Sequence, residues 1–188
     1  RIDSLNFNPD GTIQKVIPTL RGVGLTKARS HIQIDRYSAL QGKGIGIEYL
    51  DKNNCFAGWK TLFSKSNAAL IYNKVDFGNE KVEEITVRAK SSKGGVLVVR
   101  ADGKKGNIIA KVKIPKSAAW KNVRAQVLHA PLGVHALHVS LQSGADVEVD
   151  WLGFDALPWE KGAFETHQYR NLFAEMGYKQ ADIDRKVN

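Results

Sequence analysis

Three carboxylates at alternate positions, Asp146, Glu148 and Asp150 in the segment GADVEVDWLGF (Gly144–Phe154), have the types and spacing in this chain that best suit chemistry. Side chains alternate faces along a strand, so the acids share one face and Val147, Val149 and Trp151 the other. Such a row fits a solvated edge, a hard-cation site, a set of acceptors for sugar hydroxyls, or a glycosidase carboxylate pair. Alternate residues on a strand meet the roughly 5.5 or 6.5–9.5 Å that retaining and inverting hydrolysis require, but they do not flank a substrate from opposite sides. The acidic face also continues as Leu152 and Phe154, which a merely wet edge does not explain.

Other residues join this row as candidates. Asp150 lies between Val149 and Trp151, where a partly buried carboxylate needs a partner. Arg36, Arg88, Arg100 and Arg124 are the cationic choices and a metal is the alternative. In the stretch IQID, Gln33 and Asp35 share a strand face and offer oxygens to a hard cation such as Ca²⁺. Trp120, in KSAAWKNV, falls at a turn-to-strand junction between polar residues, as a plug at the sandwich end or as an exposed platform. Exposed indole faces suit sugar rings, whose axial C–H groups stack on the π cloud. His135 and His138 are three apart, on opposite strand faces, and do not readily share a metal. No G-x-S-x-G, H-E-x-x-H, Walker loop or dinucleotide fingerprint is present. The single cysteine, Cys55, excludes an internal disulfide and a Cys-based zinc cluster, and is expected to be a buried thiol.

The elements that must position these residues are strands. HIQIDRY, AALIYNKVDFG, EEITVRAK, GGVLVVRADG, NIIAKVKIP, WKNVRAQVL, VHALHVSLQSG and VEVDWLGF are short and β-rich, separated by Gly, Pro, Asn or Lys turns. GGVLVVRADG is apolar on both faces at its centre, as a core strand of a sandwich should be. About nine or ten strands with no helix between them predict an all-β, antiparallel two-sheet sandwich over residues 31–158. Residues 1–30, with the turn NPDGT, are too few to bury a core and are expected to pack on another unit, as a linker or the end of a preceding catalytic domain. Residues 159–188 turn helical, with Phe164, Tyr169, Leu172, Phe173 and Met176 at helical spacing and Gly177 as C-cap, and predict a linker or the start of a following domain.

At 188 residues, with 43% hydrophobic and 25% charged content, the composition is that of a globular protein. No apolar run approaches the roughly 20 residues of a membrane-spanning helix, so no membrane partner is expected. The net charge of +9 would suit a polyanion, but the basic residues are scattered with acids among them and cluster in turns such as KSSKGG and DGKKGN. A nucleic-acid partner is not expected. Opening on Arg1, the chain is expected to be a processed product or an excised piece.

The stretch VDFG … ITVRAKSSKGGVLVVRADGKKGNIIAKVKIPKSAAWKNVRAQV … GVHALHVSLQSGADVEVDWLGF resembles a family 6 carbohydrate-binding module over roughly residues 31–157. The resemblance implies a jelly-roll sandwich with a structural Ca²⁺. It implies Trp120 as the sugar-stacking residue of a loop-borne cleft, and Gln33, Asp35 and Asp150 as side-chain ligands of the metal. The family's cleft asparagine aligns with Glu148, which accepts hydrogen bonds but lacks the amide donor. Its second stacking aromatic aligns with Ala69, with Phe63 or Tyr72 as substitutes, and the concave sheet face is the family's other site. A one-sided stacking site should bind weakly. The N-terminal IDSLNFNPDGTIQKVIPTLRGVG resembles the end of a family 43 glycoside hydrolase, and YRNLFAEMGYKQADIDRKVN the start of a family 8 glycoside hydrolase. Together they imply a non-catalytic or spacer module of a larger, secreted, periplasmic or cell-surface xylan-degrading enzyme. Its expected partners are xylan, arabinoxylan or their oligosaccharides and the flanking catalytic domains. Alternatives are a glycosidase pairing Glu148 with Asp146 or Asp150, and a polyanion-binding domain driven by the positive charge.

Overall fold

The computed structural model describes residues 5–16, 24–66 and 68–155, and the expected C-terminal helix falls outside them. Twelve strands make two packed sheets, and no helix occurs among the described residues. They are β1 (Thr26–Lys27), β2 (Ile32–Gln33), β3 (Ala39–Gln41), β4 (Ile45–Asp51), β5 (Asn54–Phe63) and β6 (Ala69–Asp76), followed by β7 (Glu84–Ser91), β8 (Gly95–Ala101), β9 (Ile108–Ile114), β10 (Ser117–Gln126), β11 (Val134–Gly144) and β12 (Val147–Phe154). The first sheet runs β1-β6-β11-β8-β9, with β3 also on β6. The second runs β10-β7-β12-β5-β4, with β2 on β12. Pairing is antiparallel except between β1 and β6. The predicted sandwich is therefore the observed one.

The core lies between the sheets and follows the period-2 pattern of each strand. Leu97, Val99 and Ala101 of β8 and Leu137, Val139 and Leu141 of β11 face Ile85, Val87 and Ala89 of β7 and Val147 and Val149 of β12. Alternate residues on these strands (Val98, Arg100, His138 and Ser140 on one sheet, Arg88, Lys90 and Glu148 on the other) therefore stand on the two outer faces.

A β-bulge in β12 resolves the puzzle of Leu152 and Phe154. Val149 pairs with Ala89 but Trp151 pairs with Arg88, so Asp150 is an extra residue on its strand. One extra residue inverts the parity downstream. Leu152 and Phe154 thus enter the same core as Val147 and Val149, and Phe154 packs on Phe77 with ring centroids 5.0 Å apart. Asp146 is not in the row at all. It precedes β12 in the left-handed region at φ 54° and pairs with Lys93 at 2.7 Å on the surface.

The strand pair β4–β5, built on GIGIEYLDKNNCFAGWKTLF, was missing from the sequence reading. Its turn is set by Asp51, whose Oδ1 accepts the Asn53 amide, and by Asn54, whose Oδ1 accepts the Phe56 amide. Cys55 falls near this tip, where Asn54 to Ala57 are all exposed, so it is not the buried thiol expected. At the other end of the chain, NPDGT does form a turn: the Gly11 amide donates to Asn8 O, with Gly11 at φ 83°. Ala28, after β1, is buried in the core, so the sandwich takes in residues just before His31.

One corner carries a pH-sensitive contact. Asp102, at φ 55°, accepts the Ala136 amide through Oδ1, and its Oδ2 lies 2.8 Å from His135 Nδ1. The hydrogen bond to Asp102 holds the His135 imidazolium above its ordinary value of 6.5. The same bond holds the Asp102 carboxyl below its usual range. A histidine raised in the folded state contributes stability fully present below about pH 6.5 and lost as pH rises through the folded value. NMR titration should therefore give His135 a value above 6.5, and Asp102→Asn should lower it and flatten the stability change above neutrality.

Candidate functional site

The outer face of the second sheet carries a ladder of alternating charge built on adjacent strands. In register across the sheet, Lys90 of β7 sits opposite Glu148 of β12, and Glu48 of β4 opposite Lys60 of β5. Lys60 Nζ lies 3.4 Å from Glu48 and hydrogen-bonds Glu148, while Lys90 Nζ lies 3.3 Å from Glu148. Lys60 is almost fully buried under these partners. Burial opposes its charge, but Glu148 and Glu48 outweigh that and hold the ammonium above its ordinary value. Glu148 thus accepts from Lys60 and pairs with Lys90, and its carboxylate is held in place.

Trp120 closes this row at the edge strand. It lies within β10 rather than in a loop, at a register shift between Ser117 and Lys121. Its ring has Lys90 Nζ 5.1 Å and Arg88 Cζ 5.3 Å from the centroid, within cation–π range. The indole is partly exposed. Lys90 joins Trp120 to Glu148, so these two predicted residues do share one neighbourhood, although on a sheet face and not in a loop-borne cleft. Lys60, Lys90 and Glu48 were missed by sequence reasoning, and Arg88 entered it only as a partner for Asp150. The period-2 parity of EEITVRAK already put Arg88 and Lys90 on one face, and the register of β7 with β12 sets Glu148 opposite Lys90 on that face.

Asp150 takes Arg88 as its partner, one of the four arginines anticipated. Burial pushes its carboxyl up, Arg88 pulls it down and Asp35 adds a smaller upward push. Asp35 and Asp150 are both nearly buried. The β2 segment is fixed against the bulge by the Ile34 amide, which donates to Asp150 O at 3.0 Å, and by Gln33 standing opposite Trp151. No group of three or more His, Cys, Asp or Glu able to hold a metal occurs among the described residues. Of the three expected metal ligands, Asp35 and Asp150 are in electrostatic contact beside Arg88, and Gln33 stands at the neighbouring register position.

The second stacking position is a correction. Tyr72 is fully buried and donates its hydroxyl to Ile34 O at 2.6 Å, so it has no ring face for a sugar. Phe63 is equally buried. Ala69 belongs to β6 of the first sheet, on the opposite side of the sandwich from Trp120, so an aromatic there would not face it.

A two-sheet sandwich presenting an aromatic and fixed polar groups on an open sheet face defines a binding module. A family model, carbohydrate binding module (family 6), matches residues 39–156, more than half of the chain, and the chain belongs to that family, which binds sugars without cleaving them. Solved structures agree on the fold. A family 6 module from Clostridium stercorarium in complex with cellobiose aligns with TM-score 0.63 and 20% identity, covering 71% of this chain and 98% of that one. A module from Clostridium cellulolyticum in complex with xylose gives 0.61 and 24%, over 69% and 98%. A family 43 arabinoxylan arabinofuranohydrolase from Bacillus subtilis gives 0.65 and 19%, over 82% of this chain and 33% of that enzyme. No curated protein sequence matches.

If the ladder fixes Glu148, removing its central cation strips Glu48 of its ion-pair partner and leaves Glu148 with Lys90 alone. Lys60→Met should lower the free energy of unfolding by about 1–3 kcal/mol, read from urea denaturation.

Proposed function

We propose that the chain binds neutral plant cell-wall oligosaccharides of the xylan type, weakly, on the outer face of the second sheet around Trp120, with Lys90 and Glu148 supplying hydrogen bonds. The observation that carries this reading is the Trp120 ring set beside Arg88 and Lys90 at the edge of an open polar sheet face. A flat indole takes the C–H face of a pyranose, while ammonium and carboxylate groups find its hydroxyls. With Tyr72 and Phe63 in the core, stacking is one-sided, and a Kd of about 1 mM is the expected scale. The xylose ligand of the Clostridium cellulolyticum module and the arabinoxylan substrate of the Bacillus subtilis enzyme support the sugar class. The N- and C-terminal resemblances to glycoside hydrolases support a role beside catalytic domains in a secreted, periplasmic or cell-surface enzyme. Arabinoxylan would be held there for its neighbours to cleave.

Gln33, Asp35 and Asp150 would hold a structural Ca²⁺, which supplies positive charge where two carboxylates crowd together. Calcium should raise the melting temperature and EGTA lower it, with Asp150→Asn removing the difference. For the sugar, isothermal titration with xylotetraose should give weak binding that Trp120→Ala reduces by about tenfold or more. No heat with the wild-type chain, or unchanged binding in the variant, would rule out this site.

A further inference from the structure

Trp120 sits where the strand ladder gives its backbone little support. Ser117 of β10 pairs with Ser91 and Lys121 with Ala89, so Ala118, Ala119 and Trp120 stand against a single residue of β7, Lys90. Extra residues of this kind fall out of the ladder, and their side chains are aimed by other contacts. Ser117 donates its hydroxyl to Ala119 O at 2.9 Å and accepts the Ala119 amide at 3.2 Å, which steadies the backbone but not the ring. Ala118 and Ala119 are exposed and carry only methyl groups, so they give the indole nothing to lean on. Its orientation has to come from β7.

Two residues of β7 reach the ring, and they are not equivalent. Lys90 is a point charge on a flexible stem, and its Nζ is also engaged with Glu148 at 3.3 Å. Arg88 is planar, so its edge can bond a carboxylate while its face lies against an aromatic ring. It does both: Nη1 donates to Asp150, and Cζ stands 5.3 Å from the Trp120 centroid. The anchor is firm. The Asp150 side chain is 7% exposed, and its backbone carbonyl is pinned by the Ile34 amide at 3.0 Å. The bulge also sets Asp150 next to Trp151, which stands opposite Arg88. A buried carboxylate thus holds a guanidinium, and the guanidinium holds an indole.

We propose that Arg88 is the positioning residue of the binding platform: anchored on Asp150, it orders the Trp120 indole before any sugar arrives. An ordered ring loses less freedom on binding, so Arg88 raises affinity without having to touch the ligand. Asp150 acts on binding through Arg88 alone. The inference rests on the reading of Trp120 as the sugar-stacking residue.

The test first reads the order of the Trp120 indole N–H in the sugar-free chain, by ¹⁵N heteronuclear NOE with EGTA present. In the wild type the indole should be as rigid as the neighbouring strands. Arg88→Gln, which keeps an amide donor for Asp150, and Asp150→Asn, which removes the anchoring charge, should each loosen it. Trp59, stacked on Tyr49 with centroids 4.3 Å apart, should keep its value. Under the same conditions each variant should weaken xylotetraose binding by about three- to tenfold, and the double variant no more than the weaker-binding single one. Arg88→Lys should recover only part of the loss, because an ammonium does not hold a ring and a carboxylate together. An indole as rigid in both variants as in the wild type, a loss shared equally by Trp59, or additive losses of affinity would overturn the proposal. If the wild-type chain binds no xylotetraose, the sugar reading of Trp120 fails, and the order of the indole still decides whether Arg88 holds it.

Discussion

The single extra residue at Asp150 is the constraint on which the second sheet depends. Without it, strand parity would carry Leu152 and Phe154 onto the face that bears Glu148, exposing two large apolar residues and leaving two holes in the core. With it, β12 contributes Val147, Val149, Leu152 and Phe154 to one continuous core and still turns Glu148 and Asp150 outward. The bulge also places Asp150 beside Arg88 and beside β2, so one local irregularity fixes the ion pair and the neighbourhood of Asp35. Bulges cost ladder hydrogen bonds, and they recur where a side chain has to be re-aimed.

From that point the outer face assembles strand by strand. Each cation of the ladder has an acid on the next strand, and the indole ends the row against two cations. Such a network is worth little as stability where it is exposed. At Lys60 and Glu148, where it is sheltered, it fixes the geometry of groups that can exchange hydrogen bonds with a sugar.

Much of the fold was legible in the sequence because short β-rich segments between turns have few other solutions at this length. The β4–β5 pair was not, since Gly44 precedes its first strand, Gly46 lies within it, and its turn DKNN contains no glycine. Trp120 and Glu148 were legible as members of one neighbourhood through resemblance, and Asp150 through its apolar flanks. The row was misread because strict alternation has no way to register a turn or a bulge: Asp146 fell into a turn before β12, and the extra residue at Asp150 returned Leu152 and Phe154 to the core. Tyr72 was misplaced for a related reason. Its parity matches core residues of β6, and its hydroxyl finds the Ile34 carbonyl inside the protein.

Chemical-shift mapping with xylotetraose tests the central claim most directly, because it reports which face of the sandwich meets a neutral oligosaccharide. The account predicts that the Trp120 indole and the amides of Lys90 and Glu148 shift together and saturably, while Val98, His138 and Ser140 stay in place. Shifts confined to the first sheet, or none at Trp120, would contradict it.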